Sequence, residues 1–140
     1  MMSDDEFAQA YRDVEDVLLE RATSVNEACL DRIRQSVLGS SVLEVGAGRG
    51  YLAGILSKQH DVTAVDIVVS EKARADHPRV KFKEANIERL PFASRGFDTV
   101  VCMHTIENVK DIGAAVRELW RVTKRRWTDR GRGLLRGCGW

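Results

Sequence analysis

The sequence predicts an α/β fold, a doubly wound parallel sheet that is incomplete on its C-terminal side and preceded by two helices. Three observations predict it. The runs at 42–45 and 99–103 are apolar nearly throughout, as strands buried on both faces must be. Segments with helical spacing separate the strand runs, the mark of β–α–β crossovers. The first strand runs straight into three alternating glycines, Gly46, Gly48 and Gly50, and then into a helix.

Taken in order, residues 4–20 read as an amphipathic helix with Phe7, Tyr11, Val14 and Leu18 on one face. Ser3 followed by Glu6 fits a capping box. A second helix is expected over 25–37, where Val25, Cys29, Ile33 and Val37 are spaced by four, Ser24 and Glu27 repeat the capping pattern, and Gly39 suits the stop. Val42, Leu43 and Val45 begin the sheet. A helix over 51–59 carries Leu52, Ile55 and Leu56, and 62–65 is a second strand ending at Asp66. Residues 70–75 form a short helix broken before Pro78. A weaker strand at 80–83, the strand at 99–103 and a helix over 111–123 complete the pattern. The domain division is a helical segment at 1–39, a core at 40–123, and an Arg/Gly-rich tail at 124–140.

At 140 residues the chain supports one domain with a hydrophobic core. Apolar residues make up 44% and charged residues 31%, a globular rather than a disordered balance. No apolar run approaches the roughly 20 residues of a membrane span, and the acidic start does not read as a signal peptide. Cys29, Cys102 and Cys138 are far apart with no CxxC pair, which argues against a zinc site or a disulfide framework and fits the cytoplasm. The net charge of +1 is uneven. Residues 124–140 hold six basic residues and one acid, net +5; the remainder holds 16 basic and 20 acidic residues, net −4. An acidic body argues against nucleic-acid binding.

The chemistry centres on Glu44-Val45-Gly46-Ala47-Gly48-Arg49-Gly50. Glycines there let the chain turn tightly and let backbone approach a ligand, and the helix that follows favours an anionic group at its N-terminus. Asp66 ends the next strand sixteen residues after Gly50, where an acid can accept hydrogen bonds from ribose hydroxyls. Dinucleotide sites prefer GxGxxG; that third glycine is Tyr51 here, so the dinucleotide fingerprint fails. Glu44 suits an ammonium or sulfonium and suits a pyrophosphate poorly. Beside these stand plainer readings: a glycine turn that is only a turn, Cys102 as a small core residue, His60 and His77 as turn-flanking residues without function, and His104 as a satisfied polar residue at a strand end.

Four segments in order carry a resemblance: Glu44–Gly50, the Val62–Asp66 strand, Asn86-Ile87 with Leu90-Pro91-Phe92, and Phe97–His104. They resemble the successive motifs of class I S-adenosylmethionine-dependent methyltransferases, and with His104-Thr-Ile-Glu-Asn-Val109 they are most similar to the type 11 small-molecule branch. The resemblance covers roughly residues 40–123. It implies a Rossmann-like sheet of order 3-2-1-4-5-7-6, S-adenosylmethionine as cofactor, and a small or medium-sized methyl acceptor. It implies that Gly46, Ala47, Gly48 and Gly50 line the methionine part, with Glu44 near its ammonium. Asp66 would hold the ribose and Ile67 pack on the adenine. Asn86, where the family often has Asp, would accept from the adenine amino group, and Ile87 would cover the ring. Met103 and His104 would face the sulfonium, and His104 is the candidate base where the acceptor must lose a proton.

The resemblance stops near Thr123. Residues 125–140 offer no β-branched run and no alternation, so the tail is expected to be disordered and the domain truncated after the fourth strand and its helix. The fourth strand would then be an apolar, unpaired edge and a route to self-association. Two other functions follow from that end of the chain. One is a catalytically silent fragment that binds cofactor or a partner chain; the other is RNA binding by the Arg/Gly tail.

Overall fold

The computed structural model describes residues 3, 5–6, 8–10, 27–103, 105–106 and 109–124, together with the backbone of 134–136. Five strands form one sheet: β1 (Ser41–Val45), β2 (Asp61–Asp66), β3 (Lys81–Glu84), β4 (Thr99–Cys102) and β5 (Leu134–Arg136). Their order is β3-β2-β1-β4-β5 and every pairing is parallel. The order β3-β2-β1-β4 is the one the resemblance implies, and β5 lies where a truncated sheet was expected to end.

The helices are α1 (Glu27–Ser36), α2 (Tyr51–Leu56), α3 (Glu71–Asp76) and α4 (Ile112–Val122). Residues 5–6 and 8–10 are also helical. The expected capping box is present there: the Ser3 N–H donates to Glu6 Oε2 at 2.7 Å, and the Glu6 N–H donates to Ser3 Oγ at 3.2 Å. The apolar face assigned to Phe7, Tyr11, Val14 and Leu18, and the Ser24 cap, lie outside the described residues. The helix expected over 51–59 ends earlier, at Leu56, because Lys58 and Gln59 bond three residues back, to the Ile55 and Leu56 carbonyls. Ser70 caps α3 by accepting from the Ala73 N–H at 3.1 Å, and Asp111 caps α4 by accepting from Ala114 at 2.9 Å.

The sheet separates two cores. On one face Val42, Val62, Ala64, Val80, Val101 and Met103 pack with Cys29, Leu30 and Ile33 of α1 and Leu52, Ala53 and Leu56 of α2. On the other, Leu43, Val45, Val65, Val100 and Cys102 pack with Ala115, Leu119 and Val122 of α4. All four residues of β4 are buried, which is why its sequence shows no alternation. Leu90 and Phe97 from the β3–β4 connection join this second core. Arg121 of α4 fastens that connection by donating to the Leu90 carbonyl at 2.9 Å and the Phe92 carbonyl at 2.6 Å.

Two expectations are corrected. Residues 134–136 of the tail form β5 instead of disordered chain, with Val100, Val101 and Cys102 of β4 in register with Leu134, Leu135 and Arg136. The fourth strand is therefore interior, and the exposed edge expected to drive self-association is not there. The physical reason is that β4 carries a row of backbone donors and acceptors on its outer side that need partners. Leu134-Leu135 is the one adjacent apolar pair in the tail. The second correction concerns Cys29, which is disulfide-bonded, whereas Cys102 is buried and outside any disulfide. Among the described residues no helix is long and apolar enough to cross a membrane.

Candidate functional site

The carboxyl ends of β1 to β4 gather the residues that the sequence singles out. Glu44 is the next-to-last residue of β1, and the glycine turn follows it. Asp66 is the last residue of β2, Asn86 and Ile87 follow β3, and Met103 follows β4. Ligands in open parallel sheets sit at this edge, outside the strand ends. His104 lies outside the described residues.

The turn has the geometry that its glycines allow. Gly46, Gly48 and Gly50 have φ of 80°, 53° and 77°, in the left-handed region that side chains disfavour. Space is closed as well: a Cβ on Gly46 would run into the Thr105 hydroxyl, and one on Gly50 would come to 2.5 Å from the Phe82 ring. The turn is tied to β2. Gly46 and Ala47 both donate to the Val65 carbonyl, at 2.8 and 3.1 Å, and Gly48 donates to Asp66 Oδ2 at 2.8 Å. Gly50 donates to the Ala47 carbonyl at 2.8 Å. These N–H groups are engaged within the protein, so the turn does not present them as a phosphate cradle.

Two carboxylates sit at the strand ends. Asp66 accepts from Gly48 at Oδ2 and from the Ile67 N–H at Oδ1, 2.7 Å away. Each oxygen keeps acceptor capacity for a ribose hydroxyl. Burial raises its pKa above the ordinary aspartate value, and the two backbone hydrogen bonds oppose that rise. Glu44 is 4% exposed. Burial pushes its carboxyl up to about 8; a hydrogen bond from the Ala53 N–H of α2 opposes the shift, and the nearby Asp66 charge adds to it. Its Oε2 is buried and has no hydrogen-bond partner. A buried carboxyl oxygen without a partner is costly and calls for a physical explanation.

On the adenine side, Asn86 is half-buried and Ile87 buried. The Asn86 amide oxygen accepts from the Glu88 N–H at 2.9 Å. Met103 and Ala47 are each 9% exposed, at the mouth of the first core. Sequence reasoning misses four neighbours. Thr105 lies on Gly46 and donates to the Met103 carbonyl at 3.0 Å. Phe82 and His77 lie against Gly50, and the His77 ring also covers Gly54, so this histidine is part of the turn's packing. Glu88 accepts from the Asp111 N–H at 3.0 Å and ties the loop after β3 to the start of α4. The chain distances involved leave no spacing pattern to read, although Gly54 inside a helix is a signal of close packing. Among the described residues no group of three His, Cys, Asp or Glu side chains could hold a metal.

Comparison with known proteins adds to this geometry. The family described as "Methyltransferase domain" matches residues 43–126. A probable S-adenosylmethionine-dependent methyltransferase of Mycobacterium tuberculosis is 34% identical over 113 residues, 79% of this chain and 39% of that protein. The ubiquinone/menaquinone biosynthesis C-methyltransferase UbiE of Nitrobacter hamburgensis is 40% identical over 78 residues, 56% of this chain and 30% of that one. Among solved structures, the YcgJ protein of Bacillus subtilis superposes with a TM-score of 0.65 at 27% identity, covering 71% of this chain and 47% of its own. The chain thus spans about two fifths or less of these curated relatives.

Proposed function

The chain belongs to the methyltransferase domain family, the class I S-adenosylmethionine-dependent methyltransferases, and on that premise we propose that it binds this cofactor at the carboxyl edge of its sheet for methyl transfer to a small or medium-sized acceptor. The observation that carries the proposal is the pairing of a buried, unpartnered Glu44 oxygen with a turn too tight for any side chain at Gly46 or Gly50. A cationic ligand with a slender amino-acid arm fits that combination, and a pyrophosphate does not.

The residues divide the work by position. Glu44 faces the ammonium and Asp66 offers its remaining lone pairs to the ribose hydroxyls. Asn86, Ile67 and Ile87 take the adenine, and Met103 lies on the sulfonium side. When bound, the cofactor supplies a methyl group already activated on sulfur. The protein's part is alignment and exclusion of water, which can contribute about 7–11 kcal/mol in favourable cases. His104, in sequence directly after Met103, is the candidate base for an acceptor that must lose a proton.

Calorimetric titration of the 140-residue chain with S-adenosylhomocysteine tests the reading. Saturable binding in the micromolar range is expected. Asp66→Ala should lower affinity on the order of 100-fold, from the loss of two charge-assisted hydrogen bonds, with an unchanged circular dichroism spectrum. Equal affinity in the variant would sink the site assignment.

A further inference from the structure

Glu44 and Asp66 lie on the same face of the sheet. Glu44 is in register with Ala64, so Asp66 is its diagonal neighbour two residues further along β2. One Glu44 oxygen is bonded to the Ala53 N–H and the other has no donor at all. An ionised carboxylate in that setting is costly unless a positive charge arrives.

We propose that cofactor capture here is proton-coupled: an ammonium-bearing ligand seated against Glu44 displaces one proton from it to solvent, so that the charge on the ligand's amino-acid arm, and not its adenosine part, exchanges the proton. The proposal rests on the binding reading above and deepens it.

The balance is simple. In the free protein Glu44 holds a proton on its unpartnered oxygen. When the ligand's ammonium takes that place, the carboxyl ionises, the proton leaves to water, and a buried ion pair replaces a neutral acid. The surroundings of Glu44 support the exchange. From β2 the titratable group facing it is Asp66, which disfavours a second negative charge. From α2 it meets the Ala53 N–H, and Val101 of β4 and Met103 just after it belong to the same core, neither charged. Arg49 of the glycine turn acts on Asp76 of α3, and His77 lies over Gly50 and Gly54; neither is among the groups that act on Glu44. Among these described groups none supplies a cation to Glu44, so the ligand must.

The test is calorimetry at about pH 7 in two buffers of different ionisation enthalpy, with S-adenosylmethionine, S-adenosylhomocysteine and methylthioadenosine, which lacks the amino-acid arm. Release of close to one proton is expected for the first two ligands and none for the third. At about pH 9.5, where Glu44 is already ionised and the free ligand's α-amino group has largely lost its proton, release should give way to proton uptake, and Glu44→Gln, its fold checked by circular dichroism, should abolish the release at about pH 7. Binding of the charged ligands with no buffer dependence, or release that persists in the variant, overturns the inference and leaves the binding reading intact. Absence of heat with all three ligands, by a chain folded by circular dichroism, overturns both.

Discussion

Two carboxylates at opposite ends of one sheet have opposite surroundings. Asp98, just before β4, lies at the amino ends of the strands. Its Oδ2 accepts from the Ser40 and Ser41 N–H groups, both at 3.1 Å, and from the Ser41 hydroxyl at 3.0 Å, while Lys124 pairs with Oδ1 at 3.2 Å. The Ser41 N–H and then Lys124 pull it down to about 2. Glu44, at the carboxyl end of β1, is buried with an oxygen that nothing in the described chain satisfies, and it is pushed up to about 8. The carboxylate with a surplus of donors joins strands; the one with a deficit is the group assigned to the ligand in the proposed function. The difference separates the end of the sheet that holds the fold from the end that carries the proposed function.

The largest effect expected from this contrast is a pH slope. Glu44 has a raised folded value, so between about 4.5 and 8 the folded chain keeps a proton that the unfolded chain has lost. Stability of the free protein should therefore fall as pH rises through that window and level off above it. The limiting slope for one proton is about 1.4 kcal/mol per pH unit. Urea unfolding at a series of pH values measures it. Glu44→Gln should flatten the curve and be more stable than the parent at high pH; an unchanged slope would assign the proton elsewhere.

A smaller effect tests the turn itself. Gly46→Ala combines a left-handed φ with a collision against Thr105 and should cost about 3 kcal/mol. Adding Thr105→Ala should recover the collision share and leave the backbone share, so the two substitutions should be non-additive in a double-mutant cycle. Strict additivity would mean that Thr105 does not press on the turn.

Much of the fold was legible because its signals are local. The glycine run, the Ser3–Glu6 box and the unalternated β4 each declare themselves within a few residues. Asp66 was legible for a related reason, since one helix and one strand set its distance from the turn. What escaped is long-range. Thr105 meets Val45 and Asp98 meets Ser41 across gaps of 60 and 57 residues, and no periodicity links them. β5 escaped for another reason. Three residues in an Arg/Gly-rich stretch have no strand signature of their own, and it is the unsatisfied side of β4 that makes them a strand.

The same long-range logic gives the smallest effect and the other half of the contrast. Asp98→Asn keeps the size but loses the charge that draws four donors, so it should destabilise by about 1 kcal/mol at neutral pH, the scale of a partly solvated cluster. Because the folded value of Asp98 is depressed, its contribution is present above about 3.8 and disappears as pH falls toward 2, the reverse of the Glu44 window. Methylthioadenosine affinity should not change, since Asp98 is at the far end of the strands from the glycine turn. Thermal unfolding from about pH 6 down to pH 2, paired with that titration, separates the two ends. Loss of ligand affinity in Asp98→Asn would show that the strand ends do not act independently, and that the donor-rich clamp at one edge helps to set the geometry of the donor-poor site at the other.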